Sequence, residues 1–578
     1  MARNLAYTLS KIYGFIDIVL IVFLIFDFGY ENVITEWLNH KTLYLGLLVL
    51  LLVGFNILRI RHAQKPGRRK MFRANIMVLV ITMVVAVVAF ITGDEFGRLH
   101  DVSYILDAGL IIYFFLRLTN LIRKLYDIYY NPTVLFVGSF AVIGLIGAFL
   151  LMLPNATTHG ISFTDALFTS ISAVCVTGLV VVDTAKDFTP MGRTVIIVLI
   201  QLGGIGMLTF TSFFAYFFKQ GSTFREGMNV STFMDSEGLH DVMRLAMRVV
   251  VFTLSIEMVG AIFIYYSIND IPDIKNKFFF SVFHSISAFC NAGFSTLSAG
   301  LNDSALKAAY SFQWIVMHLV ILGGLGYNIV FNFLKYIKQL TINSIINRKL
   351  YSPVRVFTLN SKLVVVTTAI LLTTGTLFFY FTESGNLFQD KGFFGKFTAA
   401  GFTSVTARTA GFNTFDFADL SMPAILFVIL LMWIGASPGS TGGGIKTSTF
   451  ALATLNIISI AKGKEQIELR GRKINNQSVK RAFAIICISL IVIGIGILMI
   501  LFFEKDFTLI QIAFETFSAF STVGLSLGIT AGLSVGSKYV LIFVMFFGRI
   551  GLLNLLIGMM KRIHAQNYEY PEENILIN

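Results

Sequence analysis

Long apolar runs separated by short polar connections dominate the pattern along this chain. A helix needs about 20 predominantly apolar residues to cross a bilayer. The pattern predicts twelve such helices, over residues 9–28, 42–60, 74–92, 102–122, 134–153, 193–218, 244–267, 311–338, 359–381, 422–458, 479–503 and 538–560. The first run is interrupted by Asp17 and is not followed by a small-residue cleavage motif, so we interpret it as a span and not as a secretory signal.

Composition agrees with this pattern and excludes water-soluble classes. Of 578 residues, 56% are apolar and 13% are charged, whereas a soluble domain carries roughly 25% charged residues. So much apolar surface must face lipid, which excludes soluble enzymes, disordered chains and secreted domains. The three cysteines, Cys175, Cys290 and Cys487, have neither a disulfide framework nor the spacing of metal ligands. We therefore predict an all-α polytopic membrane protein that lies in a lipid bilayer and does not bind nucleic acid.

The net charge of +13 is concentrated in a few connections. Residues 59–73 hold seven basic side chains, 335–362 hold six, and 462–481 hold seven against two acids. All three connections fall on the same side of the predicted membrane. The positive-inside rule then places both termini in the cytoplasm of a cell bounded by a plasma membrane, which in a bacterium is the inner membrane.

One short segment occurs four times and ends in glycine each time. The segments are Ala166–Gly178, Ser281–Gly293, Ala399–Gly411 and Ile512–Gly524. Eight residues before each glycine stands a hydroxyl residue, namely Ser170, Ser285, Thr403 and Thr516. A second glycine cluster follows later in each copy, at Gly203–Gly206, Gly323–Gly326, Gly442–Gly444 and Gly548–Gly551. Repetition in both motifs indicates four copies of one structural unit.

Each segment is too short to span a membrane and is therefore predicted to be a re-entrant pore helix. Non-helical backbone at membrane depth is tolerated only where it is buried in protein or lines a water-filled cavity. Four units of helix, pore helix, glycine turn and helix would surround a central pore, and glycine would let backbone carbonyls face a cation there. The alternative is that these glycines only allow close helix packing.

The predicted organisation is thus four pseudo-repeated helix–pore-helix–helix units behind four N-terminal transmembrane helices. The predicted boundaries are 1–130 for the N-terminal four-helix region, 131–240, 241–356, 357–476 and 477–562 for copies 1 to 4, and 563–578 for a cytoplasmic tail.

The residues around these glycines resemble the Trk/Ktr/HKT superfamily of potassium transporters over about residues 130–562. The stretches that carry the resemblance are 177–179 with Asp183-Thr184, 409–414, 439–446 and 548–551. The resemblance implies that the four glycines lie in a selectivity filter. It also implies that K⁺ is the transported ion, because Gly178 stands where sodium-favouring members have serine. Backbone carbonyls of the following residues would then bind K⁺: Cys175, Val176, Thr177, Gly178, Cys290, Asn291, Ala292, Gly293, Arg408, Thr409, Ala410, Gly411, Ser521, Thr522, Val523 and Gly524.

The predicted span 422–458 is too long for one helix and contains a glycine-rich stretch at 435–444 that favours a break. The resemblance implies that this stretch is a gate below the filter. The gate residues would be Gly439, Ser440, Thr441, Gly442, Gly443, Gly444, Lys446 and Arg549. The stretch also imitates a phosphate-binding P-loop, but Ile445 stands where that motif requires lysine, so no bound nucleotide is expected on this chain.

Charged residues inside apolar runs are the remaining candidates. Arg549 stands mid-helix, and the resemblance implies that it opposes a resting cation and helps to hold the loop shut. The alternative is a structural pair with an acid such as Glu257. Lys446 would either bind the loop or extend to the membrane interface. Arg408 would brace the filter from behind, because a cation lining it would repel potassium.

Five weaker candidates remain. Glu257, His284 and His318 lie in apolar segments, where a histidine is more often hydrogen-bonded structure than a proton relay. Asp183 and Asp416 follow their filter glycines by five residues. They would concentrate cations at the outer mouth or be ordinary solvated loop acids.

The resemblance does not include the first 125 residues. Their fourth predicted helix carries Arg117, Arg123 and Lys124, whereas a voltage-sensor helix repeats arginine every third residue. The four-helix arrangement is similar to a voltage-sensor module, but this difference favours a scaffold or assembly surface over voltage sensing.

The resemblance further implies a homodimer and separate cytosolic nucleotide-binding regulatory subunits (TrkA/KtrA-like). The basic loops 335–362 and 461–481 would either dock such subunits or only enforce topology and bind anionic lipid.

The predicted function is potassium uptake. The alternatives are a sodium- or proton-coupled cation symporter, or a voltage-responsive cation channel. A membrane-embedded enzyme would need clustered nucleophiles, bases or metal ligands, and the sequence contains no such cluster. An inverted-repeat carrier would show antiparallel halves, whereas the four copies re-enter from one face.

Overall fold

The fold comes from a computed structural model that describes residues 41–62, 66–92, 132–206, 239–272, 276–346, 358–464 and 471–551. It also describes isolated positions within 26–30 and 102–113, residue 274, and residues 466–469. Apart from a two-stranded hairpin of Glu468–Leu469 and Arg472–Lys473, the regular structure of these residues is helical. The prediction of an all-α polytopic membrane protein is confirmed.

Each copy of the repeat contains a first helix, a short helix and a second helix. The first helices are Pro132–Leu151, Leu239–Ser267, Leu359–Glu383 and Asn476–Phe503. The short helices are Phe163–Val174, Lys277–Phe289, Phe393–Thr406 and Leu509–Ser521. The second helices are Pro190–Ile205, Tyr310–Leu325, Met422–Trp433 and Val535–Ile550. Helices Tyr327–Ile346 and Thr447–Ala461 follow the second helices of copies 2 and 3, and Lys41–His62 and Pro66–Thr92 precede copy 1. The division of the chain into domains remains a prediction.

Local sequence signals start the short helices. The side chain of Ser162 accepts a hydrogen bond from the N–H of Asp165, and Asn276 accepts one from Phe279. In copy 4, Thr508 and Gln511 form a capping box. Such caps satisfy backbone donors that would otherwise be unpaired at a helix N-terminus. The short helices of copies 1, 2 and 4 are therefore defined at both ends, by a cap and by the glycine turn. The short helix of copy 3 begins after Gly392 without a side-chain cap.

Four hydrophobic clusters hold the copies together, and each lies between two consecutive copies. Phe283 and Phe294 of copy 2 pack with copy 1, Phe402 and Phe412 of copy 3 pack with copy 2, and Phe514 of copy 4 packs with copy 3. The fourth cluster joins copy 4 back to copy 1, where Phe168 and Ile171 pack with Leu541 and Met545. The apolar core therefore lies in the seams of a closed ring.

The second helices are shorter than their apolar runs predict. Copies 1, 2 and 4 end these helices at Gly206, Gly326 and Gly551, whose φ angles are 79°, 85° and 79°. An unbroken span over 311–338 is therefore wrong, because the chain bends by 100° between Tyr310–Leu325 and Ile329–Thr341. In copy 3 the predicted break is confirmed, since residues 434–446 separate two helices.

Because of these breaks, only four of the described helices are long and apolar enough to cross a membrane alone: Phe72–Ile91, Arg248–Ser267, Leu359–Glu383 and Asn476–Phe503. The bent pair in copy 2 makes a fifth if its two helices are counted together as one span. Large apolar side chains such as Tyr266, Phe381 and Phe502 are exposed on the outside of the first helices. An exposed apolar outer face is what a lipid environment requires.

Two of the four predicted N-terminal helices are described. Asn75 Nδ2 donates to Asn56 Oδ1 at 3.4 Å, and Asn56 Nδ2 donates to Tyr113 Oη at 3.2 Å. Buried amides therefore join the two helices to each other and to Tyr113. The predicted spans 9–28 and 102–122 lie almost entirely outside the described residues. The charged residues in or beside these spans also lie outside them: Asp17, Asp27, Asp107, Arg117, Arg123 and Lys124.

Candidate functional site

Gly178, Gly293, Gly411 and Gly524 meet in a closed ring, hereafter the glycine ring. A Cβ atom built on Gly178 would overlap the carbonyl oxygen of Ala292, which precedes the glycine of copy 2. In the same way, a Cβ atom on the glycine of each copy would overlap a carbonyl oxygen of the next copy, and one on Gly524 of copy 4 would overlap Thr177 O of copy 1. The carbonyls that border the ring belong to Thr177, Ala292, Ala410 and Val523. With φ between 70° and 90°, the four glycines also have a backbone conformation that other residues rarely adopt.

The residue two positions before each glycine is also left-handed. Val176, Asn291, Thr409 and Thr522 have φ angles of 55°, 61°, 71° and 49°, and all four are buried. Only asparagine among them commonly adopts this conformation, and β-branched residues there are outliers. Such strain costs about 1–3 kcal/mol per residue and persists only where the surroundings enforce it. Residue-type preferences could not have predicted it.

One hydroxyl in each short helix bonds to the backbone at the glycine. Ser172 Oγ donates to Leu179 O at 2.8 Å and accepts from the N–H of Gly178 at 3.1 Å. The equivalent hydroxyls, which bond to the carbonyl after the glycine or to the glycine N–H, are Ser287, Thr406 and Ser518. These residues were not predicted from the repeat pattern, although serine stands six positions before the glycine in three of the four aligned segments.

The hydroxyls eight residues before the glycines have a different role. Ser170 Oγ donates to Gly144 O at 2.7 Å, and Ser285 Oγ donates to Glu257 O at 2.6 Å. They therefore attach the short helices of copies 1 and 2 to the first helices. In copies 3 and 4 the corresponding threonines donate to carbonyls of their own short helix.

The second glycine clusters allow the second helices to lie against the inner ends of the short helices. A Cβ atom on Gly203 would overlap Val174 O, and one on Gly548 would overlap Phe520 O. Gly323 has the same relation to Phe289 O. For this second set, close packing explains the choice of glycine.

Residues 434–446, hereafter the loop, lie against the glycine ring on the side where the second helices end. Ser437 N–H donates to Gly324 O at 3.0 Å, and Tyr327 N–H donates to Gly439 O at 3.2 Å, so the loop is tied to the break in copy 2. Gly442 and Gly443 pack against the side chains of Thr409 and Thr522, the left-handed residues of copies 3 and 4.

Arg549 joins the loop to copy 1. Its Nη1 donates to Thr441 O, and its Nη2 donates to Gly203 O at 2.8 Å. A structural pair with Glu257 is wrong, since that carboxylate accepts from Gln201 Nε2 at 2.8 Å and from the Cys290 thiol at 3.6 Å. Within the described part of the chain, the guanidinium thus donates to carbonyl oxygens, one in the loop and one in copy 1.

Two other cations also bond to the loop. Lys446 Nζ donates to Gly442 O at 2.6 Å, which favours loop binding over extension to the interface. Arg408 is buried, and its Nη2 donates to Gly435 O at 3.2 Å at the start of the loop. Its side chain thus bonds to the loop.

The weaker candidates lie apart from the loop. Glu257 is buried between copies 1 and 2, and His284 is buried in the short helix of copy 2. His318 is exposed and bonds to Trp314 O in its own helix. Asp183 and Asp416 accept hydrogen bonds from Ala185 and Ala418 in local turns. A turn contact of this kind is typical of an ordinary loop acid.

The chemistry available at the ring is that of backbone carbonyls. The described residues contain no group of three or more His, Cys, Asp or Glu that could hold a metal ion. Carbonyl oxygens held by hydroxyls and packed copies can replace the hydration shell of a monovalent cation.

The chain matches known membrane proteins over most of its length. The TrkH family, described as a cation transport protein, matches residues 124–570. The chain is 36% identical over 456 residues to Ktr system potassium uptake protein B of Bacillus subtilis, covering 77% of this chain and 96% of that protein. It is 34% identical over 457 residues to the potassium/sodium uptake protein NtpJ of Enterococcus hirae, covering 77% and 97%. The crystal structure of the potassium transporter TrkH from Vibrio parahaemolyticus matches with a TM-score of 0.60 over 90% of this chain and 99% of that one, and at 18% identity this likeness shows the fold alone.

Proposed function

Because the chain belongs to the TrkH family of cation transport proteins, we propose that it takes up potassium across a bacterial plasma membrane through the glycine ring. Family membership makes it a multi-pass membrane transporter and not an enzyme. Potassium is the proposed ion because the relative from Bacillus subtilis is named for potassium uptake. In this proposal K⁺ is the cargo, and it binds backbone carbonyls of the residues at and just before the four glycines.

The closed ring of glycines and carbonyls is the observation that carries the proposal. Each carbonyl that borders the ring comes from a different copy, so the carbonyls surround one axis. The short helices end at the ring, and the carbonyl ends of helices carry partial negative charge that favours a cation. No acidic side chain is needed for this, because dipoles alone can replace water around K⁺.

The loop and Arg549 are the proposed gate. The loop packs against the inner side of the ring, and Arg549 and Lys446 bond to loop carbonyls. A positive charge on this side would oppose a cation that leaves the ring. Opening would then require that the loop carbonyls of Thr441 and Gly442 separate from these cations.

Sodium is the second candidate ion, because one relative is named for both potassium and sodium uptake. Coupling to sodium or protons and passive flow both fit a carbonyl ring. A voltage-responsive channel that uses the N-terminal helices is a further alternative, and the uptake experiment below tests it with an imposed voltage gradient.

We also propose a homodimer with both termini in the cytoplasm and with separate cytosolic nucleotide-binding subunits. The hairpin of Glu468–Leu469 and Arg472–Lys473 supports a docking surface, since its basic side chains are exposed in a short ordered element.

Radioactive rubidium uptake into proteoliposomes tests the proposal directly. The full chain is reconstituted, and sodium, proton and voltage gradients are imposed one at a time. We expect rubidium uptake that excess potassium competes away and that excess sodium affects much less. Uptake no greater than in empty liposomes under every gradient would refute the proposal.

A further inference from the structure

Two side chains behind the glycine ring occupy the same position of the repeat and make the same contact. His284 and Glu515 each stand nine residues before the glycine of their copy, and Ser295 and Ser526 stand two residues after it. His284 Nε2 lies 2.9 Å from Ser295 Oγ, and Ser526 Oγ donates to Glu515 Oε1. In copies 2 and 4, the short helix is therefore bonded to the backbone segment just outside the glycine.

The histidine contact has a defined direction. His284 Nδ1 lies 2.9 Å from Phe280 O, and a carbonyl can only accept, so Nδ1 carries the hydrogen. In the neutral ring Nε2 then accepts from the Ser295 hydroxyl. The oxygen of Ser295 in turn accepts the N–H of Leu297 at 3.1 Å. His284 thus fixes a backbone turn through Ser295.

The glutamate contact has the same construction. Ser526 Oγ donates to the buried carboxylate of Glu515 and accepts the N–H of Gly528 at 2.9 Å, two residues further along. The other carboxylate oxygen accepts from Thr530 Oγ1 at 3.0 Å. Both polar groups are shielded from water, so each contact is costly to leave unmade.

Copies 1 and 3 lack this contact. The equivalent pairs are Thr169 with Val180 and Phe402 with Asn413, and neither valine nor phenylalanine can make a side-chain hydrogen bond. Within the described chain, Thr169 Oγ1 has no hydrogen-bond partner. Since copies 2 and 4 face each other across the ring, the contact is present on one diagonal and absent from the other.

We propose that His284 and Glu515 are positioning residues for ion discrimination. Through Ser295 and Ser526 they fix the backbone that follows Gly293 and Gly524, and so they set the carbonyl positions on one diagonal of the ring. This inference rests on the proposed function of the ring as a selectivity filter. Discrimination between cations depends on where the carbonyls lie and how freely they move. Loss of the contacts should therefore lower discrimination and leave the passage open.

The test measures rubidium and sodium tracer uptake by the full chain in proteoliposomes. Ser295→Ala and Ser526→Ala remove one hydroxyl each, His284→Ala and Glu515→Leu remove the partners, and Thr169→Val is the matched control in copy 1. We expect the rubidium-to-sodium ratio to fall about five-fold per broken contact, the size of one lost hydrogen bond. Thr169→Val should keep the ratio, and Glu515→Gln, which can still accept from Ser526, should keep most of it.

The double variant His284→Ala/Ser295→Ala should be no worse than the worse single variant, because both remove one contact. An unchanged ratio in Ser295→Ala and Ser526→Ala overturns the inference and leaves the proposed function intact. The same holds for additive losses in the double variant, or for an equal loss in Thr169→Val. If His284→Ala or Glu515→Leu fails to fold, the two serine variants decide. Absence of rubidium uptake by the unmodified protein refutes the proposed function instead.

Discussion

Lys538 Nζ lies 2.7 Å from Asp165 Oδ1, and this ion pair joins the last copy of the repeat to the first. The two residues are 373 positions apart in the chain. Their side chains are only 12% and 22% exposed, so water screens them less than a surface pair. The pair closes the ring beside the fourth apolar seam.

We expect Lys538→Met to destabilise the protein by about 1–3 kcal/mol, between the values for exposed and buried pairs. Thermal unfolding in detergent measures this. Lys186→Met is the control, because Lys186 is 73% exposed and lies 3.8 Å from Asp183. Equal melting temperatures for Lys538→Met and the unmodified protein would contradict the role of the pair.

Gly178→Ser should lower potassium-dependent growth of a potassium-starved host and reduce the preference for potassium over sodium. The added Cβ would overlap the carbonyl oxygen of Ala292 in the next copy. The left-handed backbone adds about 1–2 kcal/mol of strain. Gly160→Ser separates the two effects, since Gly160 has φ 78° but open space around it. Unchanged growth and selectivity in Gly178→Ser would remove the glycine ring from the proposed pathway.

Arg549→Ala should raise rubidium uptake about ten-fold at matched expression, since hydrogen bonds from charged donors contribute about 1.5–3 kcal/mol each. Both bonds to Thr441 and Gly203 are lost in this variant. Shortening of residues 437–444 should act in the same direction. Arg549→Lys keeps the charge without the two-pronged contact, so its uptake shows whether charge or hydrogen bonding closes the loop. Equal or lower uptake in Arg549→Ala would argue against a gate.

Gly203→Ala should destabilise the protein and impair its uptake, because the added methyl group would overlap Val174 O at the end of the short helix. Gly138→Ala is the matched control on the first helix of the same copy, where nothing lies within 4 Å. Alanine there should be neutral or slightly stabilising, as helix propensity favours it by about 1 kcal/mol. A control that loses as much stability as Gly203→Ala would disprove the packing explanation.

Neutralising the basic residues of loop 461–481 should abolish copurification of a cytosolic partner while topology stays intact. The comparison is the same change at the basic residues of segment 335–362, which begins within helix Tyr327–Ile346 and ends within helix Leu359–Glu383. Cysteine labelling from each side of the membrane is the topology check. Retention of a partner by both variants, or inversion of the loop in the membrane, would favour the role in topology or lipid binding.

The resemblance to the Trk/Ktr/HKT superfamily is confirmed, and the repeat pattern predicted the short helices and the break after Trp433 correctly. Hydrophobic length alone failed for the second helices, because an apolar run looks the same whether or not Gly326 bends it by 100°. The left-handed Val176 and Thr522 were also beyond prediction. Their conformation is imposed by packing among four distant segments, and local preference opposes it.

Some of the candidate site residues could likewise be predicted from the sequence, and others could not. The break around Gly442 was visible because several poor helix formers stand together. Ser172 and its equivalents were missed, since a serine in an apolar helix gives no sign of the carbonyl that it will meet. Arg549 was recognised as unusual, but its partners are carbonyl oxygens, which every residue carries and no sequence pattern marks.

The glycine ring has a sense of rotation. Each glycine faces the carbonyl of the following copy and not its own, so Gly178 faces copy 2 and Gly524 faces copy 1. A bulky substitution at one glycine therefore displaces the neighbour on one side first. Equivalent substitutions in the four copies therefore test four different neighbours. A substitution at the glycine of one copy should displace the carbonyl of the next copy.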